Sequence, residues 1–271
     1  MPVRLEPVFR DRIWGREDLR PLFPDAPQGR RIGEVWFEPK TPHGLLVKFL
    51  FTSERLSVQV HPDDDYARRR HNGLGKTEAW YVLDAQPPGE LAVGFREPLT
   101  PERLREVAQS GEIEQFLDWR KVSPGDLVFV PAGTVHAIGA GLTVCEIQEN
   151  SDITYRLYDY GRGRELHLDD GLAVSDRGPH TAQACRVALA DGREELLACS
   201  HFRIERLRPQ ASLRFEAAPY DRTLICTIGT EAGSAWLIPA RDDTFSIDAP
   251  SSEWLLAYAD FGGRASTRSE L

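Results

Sequence analysis

The stretch "GDLVFVPAGTVH", Gly125 to His136, decides how the chain reads. Gly125 and Asp126 turn the backbone into a short apolar run, and Pro131 with Gly133 turns it out again. His136 then opens a returning strand with its ring aimed to the inside of the corner. The spacing is specific: Gly, five residues, Pro, one residue, Gly, two residues, His.

Upstream, "LSVQVHPDDD" (Leu56 to Asp65) supplies a second histidine in a similar setting. Successive strand side chains alternate between faces, so Ser57, Gln59 and His61 project together. Leu56, Val58 and Val60 share the other face, which suits a core. Pro62 to His71 reads as a short helix, with Asp63, Asp64 and Asp65 at the positive end of its dipole. The aspartates are therefore explained by capping, without a ligand.

Around these two stretches, short apolar runs broken by Gly, Pro and Asp dominate, among them "GEVWFEP", "LLVKFLF", "AWYVLD" and "LTVCEIQE". Many short strands with turns between them predict a β-sandwich or barrel. "TPERLREVAQSGEIEQFLDW" breaks the pattern. Thr100-Pro101 is a helix start, Leu104, Val107 and Ala108 keep helical spacing, and Ser110-Gly111 separates a second short helix holding Ile113, Phe116 and Leu117. A turn-rich segment places a boundary near Arg177 to Ala184, after which strand-like pieces resume.

With 271 residues, 41% of them hydrophobic, the chain can bury a large core or two modest ones. Its net charge of −9 argues against a general affinity for nucleic acid. Cys145, Cys185, Cys199 and Cys226 are widely spaced and form no CxxC pair, which points to a reducing, cytoplasmic setting. The first residues lack an apolar signal region, and no stretch is apolar for long enough to span a bilayer.

The spacing from Gly125 to His136 resembles the second motif of the cupin family, whose histidine is a metal ligand. The first cupin motif is partly kept: its usual His-x-His appears as Gln59-Val60-His61. Glu78, in "GKTEAWYVL", is the candidate carboxylate. Two imidazoles, a carboxylate and an amide oxygen suit Zn²⁺, one per chain, with Mn²⁺ or Fe²⁺ also compatible with the donor types.

The series "GEVW", "LSVQVHPDD", "GKTEAWYVL", "VFVPAGTVHAIGAG" and "EIQENSDITYRLYDYGR" resembles the type I mannose-6-phosphate isomerases in their short bacterial form. The likeness runs from about Trp14 to His167 and is only general beyond residue 190. It implies a mainly β chain with a cupin, jelly-roll β-barrel catalytic domain over residues 1–183. A helical insertion over about 97–119 and a smaller C-terminal β-domain over 184–271 complete the expectation. It implies metal ligation by Gln59, His61, Glu78 and His136, substrate contact by Lys48 and Ser57, and catalytic roles for Arg156, Glu146 and Lys76. The implied reaction interconverts mannose 6-phosphate and fructose 6-phosphate through an enediol. Asp152 and His167 are expected as structural supports, and the protein as a monomer or weak homodimer acting on a small sugar phosphate. Two rivals stay open on the residues: another metal-dependent cupin enzyme, and a non-catalytic sugar-phosphate binder. An iron oxygenase would want a less basic pocket, and a binder could dispense with the base.

Overall fold

The computed structural model describes residues 2–39, 44–184, 186–189, 193–209, 213–240, 245–247 and 250–259. The fold is mainly β. In chain order the first strands are β1 (Val3–Arg4), β2 (Val8–Arg16), β3 (Ile32–Phe37), β4 (Leu46–Phe51) and β5 (Val58–Val60). Helix α1 (Asp64–His71) precedes β6 (Glu78–Ala85) and β7 (Glu90–Phe95). Helices α2 (Pro101–Ser110) and α3 (Ile113–Phe116) lead into β8 (Leu117–Lys121), β9 (Leu127–Val130), β10 (His136–Ile138), β11 (Leu142–Gln148) and β12 (Tyr155–Tyr158). Helix α4 (Leu168–Val174) ends this series.

Contacts divide the chain into two compact units. One comprises Glu6–Glu38 and Leu46–Gln183; the other comprises Met1–Leu5, Pro39–Leu45 and Ala184–Leu271. In the first unit one antiparallel sheet runs β2-β3-β4-β11-β6-β9 and another runs β12-β5-β10-β7-β8. Leu50, Trp80, Val82 and Val144 from one sheet and Leu91, Val93 and Ile138 from the other form one buried cluster, so the inner faces pack on each other.

Alternation then assigns the outer faces. Val58, Val60, Ala92 and Ala137 pack with Leu104, Val107 and Ala108 of α2 and with Ile113 of α3. On the other sheet Phe37, Phe49 and Phe51 meet Phe23, whose ring lies 5.4 Å from that of Phe49. Leu56 departs from the expected pattern. It precedes β5 and joins the inner cluster with Leu50 and Trp14, because strand alternation begins only at Val58.

The helices form where their caps allow. Asp63 accepts a bond from the Tyr66 amide at 2.7 Å and caps α1, while Asp64 accepts one from Gly75 at 2.8 Å. Thr100 caps α2 and Gly111, at φ 83°, ends it. Leu117 does not extend α3 as expected: at ψ 146° it already opens β8, so residues 117–119 belong to the sheet.

In the second unit the strands are β13 (Val187–Ala188), β14 (Glu194–Ala198), β15 (Arg203–Leu207), β16 (Leu213–Phe215), β17 (Arg222–Ile228), β18 (Ala235–Ile238), β19 (Phe245–Ile247) and β20 (Glu253–Tyr258). The main sheet runs β1-β18-β17-β20-β15-β14-β13. Its first member comes from the chain's own beginning, with Val3 opposite Leu237 and Arg4 opposite Trp236. That differs from a single cut near residue 184, and it has a physical reason: β1 covers the backbone groups that β18 would otherwise expose at an edge. Cys145, Cys199 and Cys226 are free thiols, and Cys185 lies outside the described residues. Among the described residues no helix is long and apolar enough to cross a membrane.

Candidate active site and metal centre

Strands β5 and β10 are neighbours, and their register sets Gln59 opposite His136. His61 follows β5 at once. The turn that delivers His136 depends on Gly133, whose φ is 88° and whose amide donates to the His61 carbonyl at 2.8 Å. A Cβ there would also stand 3.0 Å from Asp176 Oδ2, but it is the positive φ that favours glycine. Glu78 opens β6 opposite Gln148 of β11, which brings its carboxylate in from the other sheet.

The three groups converge. His61 Nε2 lies 3.5 Å from Glu78 Oε2, and His136 Nε2 lies 3.4 Å from Glu78 Oε1. All three side chains are buried. Each imidazole holds a carbonyl with its other nitrogen: His61 Nδ1 meets the Ile153 oxygen at 2.9 Å and His136 Nδ1 meets the Thr134 oxygen at 2.8 Å. A carbonyl can only accept, so both Nδ1 atoms carry the proton and both Nε2 atoms present a lone pair to the centre. Burial and the nearby Lys76 push the His61 pKa down to about 4, and burial also lowers that of His136. Neutral imidazole is the form that ligates metal.

Glu78 is held as a carboxylate. Burial pushes its pKa up, but the Lys76 ammonium outweighs that and keeps it well below the usual range. Lys76 Nζ contacts Glu78 Oε2 and lies 3.1 Å from His61 Nε2, while Glu78 Oε1 is buried with no hydrogen-bond partner among the described residues. An orphaned buried carboxylate oxygen facing an imidazole lone pair is costly unless a cation completes it. His61, Glu78 and His136 thus fit a metal ion. Gln59 stands beside them, its Nε2 3.3 Å from His136 Nε2 and its Oε1 accepting from Ser57 Oγ at 3.2 Å. Because a hydroxyl both donates and accepts, either amide orientation keeps the Ser57 bond, so the amide oxygen can also turn to the centre.

Next to this centre lies a cavity of about 540 Å³, lined among others by Lys48, Ser57, Gln59, Lys76, Glu146 and Arg156. Lys48 is a buried cation 3.2 Å from Glu146 Oε1. Lys76 reaches the same oxygen at 3.6 Å, and Trp80 Nε1 donates to Glu146 Oε2 at 3.2 Å. Burial depresses Lys76, but Glu146 and Glu78 outweigh it and raise its pKa, so it stays an ammonium. Glu149 is turned elsewhere, accepting from the Thr77 amide at 2.7 Å.

Arg156 sits on β12 opposite Gln59. Its Nη1 donates to the Glu165 carbonyl at 2.7 Å, and its buried Nε has no partner among the described residues. Asp159 accepts two bonds from Arg164. Burial and Arg164 both lower the Arg156 pKa, against the opposing pull of Asp159 and Glu165. His167 supports the arginine's backbone, accepting from its amide at 3.1 Å, and Asp152 lines the cavity.

Glu34 and Trp36 are among the cavity groups that escaped the sequence reading. They lie two residues apart in "GEVWFEP" and line the cavity from β3. Burial pushes the Glu34 carboxyl up, but Lys48 and Arg12 outweigh it and hold it below the usual range. The alternation of that segment was the available signal.

No family model matches the chain. It is 38% identical to a mannose-6-phosphate isomerase of Bacillus subtilis over 214 residues, 64% of this chain and 67% of that one. It is 31% identical to a mannose-6-phosphate isomerase of Streptococcus mutans over 262 residues, 81% of this chain and 83% of the relative. The crystal structure of a mannose 6-phosphate isomerase from Bacillus subtilis superposes with a TM-score of 0.84 at 26% identity, covering 94% of this chain and 99% of that one. A putative mannosephosphate isomerase from Archaeoglobus fulgidus shares the fold, with a TM-score of 0.77 at 18% identity over 95% and 97% of the two chains. With its cupin-type double sheet and this kinship along most of its length, the chain belongs to the mannose-6-phosphate isomerase family.

Proposed function

We propose that the protein interconverts mannose 6-phosphate and fructose 6-phosphate as a metal-dependent aldose–ketose isomerase. One observation carries the metal requirement: the buried Glu78 Oε1, without a hydrogen-bond partner among the described residues, faces the His136 lone pair beside a cavity lined with lysine and arginine. His61, Glu78 and His136 would hold the ion, with Gln59 as a fourth donor. Nitrogen and oxygen donors without a thiolate suit zinc, and manganese or iron fit the same types. When bound, the cation supplies a Lewis acid to the carbonyl and hydroxyl oxygens of the sugar.

The chain's own groups do the rest. Lys48 and Ser57 meet the anionic substrate from β4 and the approach to β5. Arg156 offers permanent charge and an Nε without a partner among the described residues to the enediolate. Glu146 takes the proton from C2 of mannose 6-phosphate and returns it at C1. Trp80 donates to its Oε2 and Lys76 lies 3.6 Å from its Oε1, which fixes the carboxylate in place for that transfer. Lys76 lies by Glu146, Glu78 and His61, and its charge steadies the negative charge that develops between them. Free buried Cys145 and Cys226 support a reducing, cytoplasmic setting.

A coupled isomerase assay with elemental analysis tests the reading. Turnover of mannose 6-phosphate that chelators abolish and zinc restores is expected. Full turnover by metal-free protein would sink it.

A further inference from the structure

Four side chains form one row across the inner face of the sheet β3-β4-β11-β6. Trp36 is paired with Lys48, Lys48 with Glu146, and Glu146 with Trp80. Each touches the next. Lys48 Nζ lies 4.3 Å from the centroid of the Trp36 ring and 3.2 Å from Glu146 Oε1, and Trp80 Nε1 donates to Glu146 Oε2 at 3.2 Å. The buried ion pair is therefore bracketed by two indoles.

The two brackets differ. Trp80 belongs to the metal side, its ring 5.2 Å from that of His136. Trp36 faces a second carboxylate: its Nε1 donates to Glu34 Oε2 at 2.7 Å, and Arg12 donates to the same oxygen at 2.8 Å. Lys48 thus has two acids within reach of its charge, Glu146 and Glu34, and a flexible four-carbon stem that could serve either. The indole settles the choice. Its face attracts the ammonium on the Glu146 side, and its N–H occupies the Glu34 oxygen on the Arg12 side.

We propose that Trp36 is a positioning residue of the isomerase, holding the Lys48 ammonium on Glu146 and away from Glu34 so that it meets the anionic sugar in one place. This rests on the isomerase reading. Trp36 acts through Lys48 and its effect falls on substrate binding, since Lys48 grips the ground state and the transition state alike.

Three variants test it: Trp36→Leu removes ring and donor, Trp36→Phe keeps a ring face without the N–H, and Trp36→Leu with Glu34→Gln removes the competing charge. Trp36→Leu should raise KM for mannose 6-phosphate about ten-fold, the scale of one desolvated cation–π contact, with kcat and zinc content little changed. Trp36→Phe should recover most of that loss, and so should the double variant relative to Glu34→Gln alone. In a crystal structure of Trp36→Leu, Lys48 should have left Glu146 for Glu34. An unchanged KM, a fall in kcat instead, equal damage in the Phe and Leu variants, or Lys48 still on Glu146 in the crystal would each overturn the proposal. If the Leu variant fails to fold, Trp36→Met takes its place with the same expectations. Absence of turnover in the wild-type enzyme would count against the isomerase reading, and the crystal structure would then decide the role of Trp36 by itself.

Discussion

Gln59 and His136 face each other across the β5–β10 pair, Gln59 Nε2 standing 3.3 Å from His136 Nε2. Two residues from separate motifs thereby share one point, and the point lies beside the Glu78 carboxylate. His136→Ala should remove stoichiometric zinc, as read by elemental analysis. It should lower isomerase activity on the order of a thousand-fold or more, the worth of several kcal/mol of Lewis-acid stabilisation. Full zinc occupancy in that variant would show that His136 is not a ligand.

Much of this centre was legible because strand alternation and turn chemistry are local. Gln59 follows from a period of two within β5, and His136 from the Pro131-Gly133 turn. Asp63 and Thr100 were readable as caps for the same reason. The pairing of Lys48 with Glu146 was not readable, since it depends on the register of β4 against β11, about a hundred residues apart in the chain. Trp36 and Trp80 look like ordinary core aromatics in the sequence, and only the register shows them flanking an ion pair. The carbonyls of Ile153 and Thr134 that orient the two imidazoles leave no mark on side-chain identity at all.

Lys76 and a bound divalent cation would both balance the charge of Glu78. Lys76→Met removes the internal partner and leaves a buried carboxylate that burial alone would push toward protonation. The chelated variant should lose about 3–5 kcal/mol of stability, the usual penalty for breaking a buried pair from one side. With zinc bound the loss should be much smaller, because the ion takes over the compensation. Thermal unfolding with and without chelator measures the difference. Equal losses in both conditions would mean that Glu78 and the metal are not linked.

Arg156 is anchored through Nη1 on the Glu165 carbonyl, while its Nε is left unpartnered among the described residues. Arg156→Ala should keep bound zinc and reduce kcat by about 10²–10³, comparable with losing one donor to a developing oxyanion. Arg156→Lys should recover only part, since an ammonium cannot reproduce the planar fork. Zinc content falling in step with kcat would make the arginine structural.

Glu34 gives the clearest pH signature away from the metal centre. Burial raises its pKa, but Lys48 and Arg12 outweigh that, and Arg12 and Trp36 both donate to its Oε2, so the folded value lies below the ordinary one. A carboxyl with a depressed folded pKa contributes stability that is complete above the unfolded value, about 4.3, and is lost as pH falls through the folded value. Glu34→Gln should therefore cost about 1–2 kcal/mol at neutral pH, the scale of charged hydrogen bonds lost. The gap in melting temperature between wild type and variant should stay flat from pH 7 to about 5.5, then narrow from about pH 4.3 downward. It narrows because the unfolded chain takes up a proton that the folded wild type still refuses, whereas the glutamine takes up none in either state. A gap that widens on acidification would mean that Glu34 is held neutral in the fold, and that Lys48 and Arg12 do not govern its charge.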